Sequence, residues 1–373
     1  MKKKKILFYC DSMDNGGTEK ATLDLVNNLS KDKYEITIIQ LSHGGKYQKM
    51  LNGYIHNKEI IPFDTYKHFR YYWWARRLYE KIPVALVHKF IIGNKFDIEI
   101  ACGYSYPTKI VSKSKSAKKI AWIHMDVELD KGVVPEMSRE EGKQYFANID
   151  KFVCVSHDCA KKFNDKFGFK DKTEVCYNVL SSKDIIEKSN YAPEVKFDKN
   201  TINIVAIGRL TWQKGFDILI RSVGKIIEKN RNVKLYIMGE GEDREQLEKQ
   251  IEENEMRENI QLLGHVDNPY PILKQADFYV CSSRHESFSL TVAESIILGV
   301  PVVSTKCTGP IELLDDGKYG IMCECEENSL CTAIEKMLDE KTRSQYKEKI
   351  KERKEFFNIE NTIAVWERVL DKQ

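Results

Sequence analysis

No apolar run in this 373-residue sequence approaches the ~20 residues that a membrane-crossing helix needs. The start, Lys2 to Lys5 and then Ile6-Leu7-Phe8-Tyr9-Cys10, imitates a signal peptide. Its apolar part stops at Asp11, however, and no small-residue cleavage site follows, so it reads as a first strand with a basic lead-in. The ten cysteines lack regular spacing and mostly lie in apolar runs. That pattern excludes a disulfide framework and suits reduced core thiols of a cytosolic protein. Cys323-x-Cys325 has no partner pair and is a weak metal signal. Gly-x-Gly-x-x-Gly is missing, and with it the dinucleotide fingerprint. Asp-x-Asp is missing too, so neither a metal nor a cofactor is expected.

The length is too great for one ordinary domain and suits two of near-equal size. Net charge is only +3, but it is unevenly divided. Residues 1–182 carry 31 Lys+Arg against 22 Asp+Glu, a net of +9; residues 183–373 carry 28 against 34, a net of −6. A membrane leaflet, a nucleic acid and a merely solvated lysine-rich surface all answer to such a basic half. The expectation is peripheral contact with an anionic membrane at its cytoplasmic face, and no nucleic acid.

Strand-like and helix-like segments alternate along both halves, which argues for α/β architecture with parallel, doubly wound sheets. In the first half the strands are Ile6–Cys10, Glu35–Leu41, Phe96–Cys102, Lys119–Ile123 and Phe152–Val155. In the second they are Thr201–Ile207, Val233–Met238, Ile260–Leu263, Phe278–Cys281 and Val302–Thr305. The boundaries follow as an amino-terminal domain over 1–182, a polar linker over 183–200, a second domain over 201–355, and a carboxyl-terminal helix, 356–373, that completes the first. Phe69 to Tyr79 is unusual, with aromatics and arginines at helical spacing. A membrane interface, an acceptor site and an ordinary core helix all fit it.

The organising stretch is Cys281 to Pro301. A strand leads through a polar loop into a short helix with Ser289 at its N-cap; Leu290, Val292, Ala293, Ile296 and Ile297 form its apolar side, and Gly299 ends it. The amino end of a helix suits an anion such as phosphate. Glu286 lies in the loop and Glu294 inside the helix, roughly 7–8 Å from its start. Two carboxylates flanking an anion site fit an elongated ligand with hydroxyls at both ends and phosphate between, as in a nucleotide-sugar. In Gly208-Arg209-Leu210-Thr211-Trp212-Gln213-Lys214-Gly215 a buried strand ends in two cations five residues apart. Arginine there offers a planar fork for phosphate oxygens and lysine a mobile point charge. Gly16-Gly17 follows the first strand and opens a helix, and His124 ends another strand, with Asp126 just beyond.

Glu286-x7-Glu294, together with Gly-Arg-Leu and Lys-Gly at 208–215, resembles the signature of the retaining glycosyltransferases of family 4, which have the GT-B fold of two Rossmann-like domains facing across a cleft. The resemblance covers nearly all of 201–325 and, more loosely, 1–180. It implies that Arg209 and Lys214 neutralise the leaving diphosphate and that Glu286 binds the donor sugar. Phe288, Ser289 and Leu290 would cradle phosphate and sugar, and Glu294 would hold the ribose. Gly16, Gly17 and Gly239 would line the cleft, the backbone at Val266 would receive the base, and His124 would contact the transferred sugar. The family's usual Glu-Gly-Phe-Pro is here Glu286-Ser287-Phe288-Ser289. The function implied is metal-independent, retaining transfer from a nucleotide-sugar, most readily UDP-linked, to a glycan or lipid-linked acceptor in cell-surface polysaccharide synthesis such as capsule. A nucleotide-sugar epimerase of the same fold, a glycoside hydrolase and a non-catalytic basic binding protein are the alternatives.

Overall fold

The computed structural model describes residues 2–14, 16–64, 67–103, 105–115, 117–125, 127, 139–229 and 232–372. In chain order the strands are β1 (Lys4–Cys10), β2 (Tyr34–Gln40), β3 (His56–Glu59), β4 (Ile98–Cys102), β5 (Lys118–Ile123), β6 (Lys151–Cys154), β7 (Thr173–Val175), β8 (Ile202–Ile207), β9 (Val233–Met238), β10 (Ile260–Gly264), β11 (Phe278–Cys281), β12 (Val302–Thr305) and β13 (Ile321–Cys323). The helices are α1 (Gly17–Asn28), α2 (Phe69–Glu80), α3 (Val84–Val87), α4 (Tyr106–Val111), α5 (Arg139–Phe146), α6 (His157–Phe167), α7 (Ser182–Lys188), α8 (Phe216–Lys229), α9 (Arg244–Glu253), α10 (Tyr270–Gln275), α11 (Leu290–Leu298), α12 (Thr308–Leu313), α13 (Glu327–Leu338), α14 (Glu340–Arg353) and α15 (Ile359–Asp371). The chain divides into two units, Met1–Leu180 with Glu360–Gln373, and Ser181–Ile359.

Each unit is built on one parallel sheet. The first has strand order β3-β2-β1-β4-β5-β6-β7 and the second β10-β9-β8-β11-β12-β13. In both, the strands are numbered outward in two directions from a central pair, β1/β4 and β8/β11. At such a switch point the following connections diverge and leave a crevice at the carboxyl ends of the strands. The central strands read as continuous apolar runs because parallel sheets are covered on both faces. Ile6 to Tyr9 and Ile204 to Ala206 are fully buried accordingly. β3, β7 and β13 were not expected. All three are sheet-edge strands of only three or four residues: β3 (His-Asn-Lys-Glu) holds no apolar residue, and β7 (Thr-Glu-Val) and β13 (Ile-Met-Cys) are too short to show a period.

The segment expected as an irregular linker, 183–200, begins with most of a helix. α7 is capped by the Ser181 hydroxyl, which accepts from the Asp184 N–H at 3.2 Å, and its Ile185 is buried. Seven residues with one apolar anchor are too short to show helical periodicity. At the other end of the chain, α15 belongs to the first unit. Its Trp366 is fully buried against Trp122 of β5, edge to face at 4.6 Å. Lys118 donates to the Val369 carbonyl at 2.6 Å, placing a cation where the helix dipole is negative. Trp366→Ala is expected to destabilise the first unit by about 3–5 kcal/mol, read as a shifted midpoint in urea unfolding; an unchanged midpoint would show that α15 is not held there.

Candidate functional site

In the second unit β8 and β11 pair side by side, and the loops that follow them are tied together. Gly215 has φ +63, and a Cβ there would overlap the Ser282 carbonyl oxygen. The Ser282 hydroxyl donates to the Lys214 carbonyl at 2.9 Å, and the Arg284 N–H to the Gln213 carbonyl at 2.7 Å. Arg284 completes the clamp. It grips Asp217 with both ends of its fork (2.8 and 2.9 Å), donates to the Trp212 carbonyl at 2.6 Å and lies over the Trp212 ring at 4.8 Å. Its neighbours hold the Asp217 carboxyl below the usual range: burial opposes this, but Arg284 and Arg221 outweigh it.

This clamp fixes Lys214 against Glu286. The Lys214 ammonium and the Ser283 hydroxyl both donate to Glu286 Oε1, the second at 3.0 Å. Burial alone would lower the Lys214 pKa, but the Glu286 charge and hydrogen bond hold it above the ordinary lysine value. The other oxygen, Oε2, accepts no hydrogen bond among the described residues, and the side chain keeps 11% of its surface exposed. Behind it, the Glu286 carbonyl accepts from the Gly309 N–H (2.9 Å) and the Thr308 hydroxyl (2.7 Å) at the start of α12. The carboxylate is thus anchored on one oxygen and presented on the other.

Phe288, Ser289 and Leu290 lie at the amino end of α11. Ser289 occupies the N-cap position but makes no side-chain cap bond. It sits at φ +67, ψ +83, a left-handed conformation that serine adopts at a cost. Proline, locked near φ −65, could not adopt it; the loop therefore differs from the one that Glu-Gly-Phe-Pro would make. Val292, Ala293, Ile296 and Ile297 are buried, as the apolar pattern requires, while Leu290 is half-buried. Glu294 is buried and accepts from the Tyr270 hydroxyl at 3.0 Å.

Arg209 is exposed and has no ion pair among the described residues. Its loop is held by backbone bonds to the next turn, with the Leu210 N–H donating to the Glu240 carbonyl at 2.9 Å. At Gly239 a Cβ would overlap the Gly208 carbonyl, so the two turns meet backbone to backbone. Val266, just past β10, is half-buried.

In the first unit Gly16 and Gly17 begin α1, and the Glu19 side chain folds back over Gly16. Glu19 accepts from the Ser12 hydroxyl at 2.9 Å. His124 follows β5, its ring 4.2 Å from that of Trp122. Glu19, His124 and Asp11 line a cavity of about 140 Å³ at the β1/β4 switch point. His124 Nε2 and Asp11 Oδ1 are buried there without a hydrogen-bond partner among the described residues. Burial raises the Asp11 pKa, opposed by Arg76, whose guanidinium lies 3.9 Å from Oδ2. Sequence reasoning missed Asp11 and Arg76 as site residues. The strand-end rule that singled out His124 applies equally to Asp11, at the end of β1. Asn15 and Asp126 lie outside the described residues.

Residues 15–181 match the family described as Glycosyltransferase Family 4, and residues 187–353 the one described as Glycosyl transferases group 1. An uncharacterized glycosyltransferase of Methanocaldococcus jannaschii is 28% identical over 369 residues, covering 87% of this chain and 91% of that one. An N-acetylgalactosamine-N,N'-diacetylbacillosaminyl-diphospho-undecaprenol 4-alpha-N-acetylgalactosaminyltransferase of Campylobacter jejuni is 33% identical over 192 residues, half of each chain. Among solved structures, Anabaena HepE in complex with UDP-glucose superposes with a TM-score of 0.77 at 17% identity, covering 98% of this chain and 99% of that one. The lipopolysaccharide glycosyltransferase WaaG does so at 0.68 and 13%, covering 99% and 100%. At these identities the two structures share the fold.

Arg284→Ala, and equally Arg284→Lys, which lacks the fork, should lower kcat/KM by about ten- to a hundredfold by letting the Lys214 loop shift; steady-state kinetics at wild-type levels would contradict the clamp. Burial lowers the His124 pKa to about 3, below its unfolded value of about 6.5. The unfolded chain therefore takes the proton first. The contribution of His124 to stability is full above pH ~6.5 and is lost as the pH falls from there towards ~3. Urea unfolding of the wild type and of His124→Gln should differ by that pH-dependent loss; parallel curves would contradict it.

Proposed function

This chain belongs to glycosyltransferase family 4, with the GT-B fold, and on that premise we propose that it moves a sugar from a UDP-linked donor to a lipid-linked or glycan acceptor, with retention of anomeric configuration and without a metal. The observation that carries the reading is Glu286, anchored through one oxygen by Lys214 and Ser283 and open at the other. An oxygen held in that way can accept a sugar hydroxyl and face a developing cationic centre without moving. Lysine has three donors, so Lys214 can keep Glu286 while giving a further hydrogen bond to a phosphate oxygen. Arg209 adds an unpaired fork on the same loop. Together they supply positive charge where the diphosphate gains negative charge in the transition state. A glycoside hydrolase would also use two carboxylates, but it has no need of this pair of cations.

In this reading the amino end of α11, at Phe288, Ser289 and Leu290, receives phosphate and sugar, and Glu294 holds the ribose. The turns at Gly239 and Val266 border the base. His124, kept neutral by burial, contacts the transferred sugar as a hydrogen-bonding ring, and Gly16 and Gly17 lie at the same edge of their sheet. UDP is chosen because HepE is seen with UDP-glucose. A lipid-linked acceptor is chosen because the Campylobacter relative is named for one. Such an acceptor puts the work, in cell-surface polysaccharide or capsule synthesis, at the cytoplasmic face of a membrane. Among the described residues no helix is long and apolar enough to cross one.

Replacing Arg209 and Lys214 together by Ala should abolish transfer, and near-normal turnover in that variant would refute their roles. Treatment with EDTA should leave turnover unchanged; activity lost to the chelator and restored by a divalent cation would overturn metal independence.

A further inference from the structure

α2 packs through one narrow stripe. Tyr72 and Tyr79 are buried, and Ala75 and Arg76 half-buried. At 100° per residue, Arg70, Arg77 and Lys81 form a row opposite that stripe. Phe69 and Trp73 flank the row on one side, and Tyr71, Trp74 and Leu78 on the other. All eight are exposed, Phe69 at 61%, Tyr71 at 64% and Trp74 at 62%. The chain continues with exposed Ile82 and Leu86 and with Phe90 at 75%. A folded surface seldom leaves so many large apolar groups together without a use for them.

The charge is one-sided. Residues 67–95 contain seven Lys and Arg and a single acidic residue, Glu80. Glu80 is paired with Arg76 at 2.8 Å. Arg70, Arg77 and Lys81 have no ion pair among the described residues. Aromatic rings interleaved with unpaired cations match the headgroup level of an anionic bilayer, where rings lie in the interface and cations meet phosphates. An ordinary protein partner would leave that row of cations without counter-charge.

We infer that the outer face of α2, together with the helical segment His88–Ile92 that carries Phe90, docks on an anionic lipid bilayer. The inner stripe of the same helix reaches the cavity of the first unit: Arg76 lies beside Asp11, and the Tyr79 hydroxyl shares a hydrogen bond of 2.8 Å with that of Tyr9. A bilayer held by the outer face therefore lies one helix away from Asp11 and His124. The docking rests on the exposed face itself; its purpose, delivery of a lipid-linked acceptor, rests on the function proposed above.

The test is flotation of the full chain with phosphatidylcholine vesicles, with and without phosphatidylglycerol. The wild type should float with the anionic vesicles, be released by high salt, and bind the neutral ones at least about tenfold less. Trp74→Ser with Phe90→Ser, and separately Arg70→Glu with Arg77→Glu, should each lower the anionic partition by about tenfold or more. Because these side chains are exposed, thermal unfolding and calorimetric binding of UDP should stay at wild-type values. No flotation of the wild type, or equal flotation of wild type and both variants, overturns the inference. So does a dimer seen by sedimentation without lipid and broken by the same substitutions, which assigns the face to a second copy. A chain that transfers sugar to a soluble acceptor yet does not float loses the docking face and keeps the function. One that floats but binds no nucleotide-sugar does the reverse.

Discussion

The hydrogen-bonded ion pair between Lys214 and Glu286 is the contact on which the rest of the second unit converges. Neither group would be placed usefully alone. A lysine at the end of a flexible stem is a mobile charge, and a loop glutamate is ordinarily solvated. The hydrogen bonds between the two loops, the Arg284 fork on Asp217 and the support from α12 all remove freedom from this one pair. The conformational entropy is lost on folding, so it need not be lost again when a donor binds.

The two units repeat one idea with different chemistry. Each opens a crevice where the strand order reverses, and each lines it with residues from strand ends. The second unit offers cations and a held carboxylate. The first offers a neutral histidine, an aspartate whose pKa burial raises, and a glutamate folded over the start of a helix. A diphosphate suits the former set. The latter, with no lysine or arginine lining its cavity among the described residues, suits hydroxyl groups.

Much of the fold was legible because parallel sheets write their central strands as unbroken apolar runs. β8, β9, β11 and β12 fall within a residue of their expected bounds, and α8 shows its apolar stripe plainly. The edge strands β3, β7 and β13 were not legible: β3 carries no apolar residue, and β7 and β13, at three residues each, are too short to show a period. α7 was lost for the same reason: its one anchor, Ile185, gives no periodicity. Among the candidate site residues, the strand-end rule reached His124, but it was not extended to Asp11. The pairing of Lys214 with Glu286 could not be read at all. The two are 72 residues apart, and the sequence offered each of them to a ligand, not to the other. Ser289 was legible as an N-cap by type, but its left-handed backbone is imposed by the fold and leaves no trace in a serine.

The most direct measurement is a crystal structure of the protein with a UDP-sugar bound. The account predicts diphosphate oxygens against the Lys214 ammonium and the Arg209 guanidinium at the amino end of α11, and a sugar hydroxyl on Glu286 Oε2. A donor whose phosphates lie away from those two side chains, or a Glu286 turned from the sugar, would contradict it.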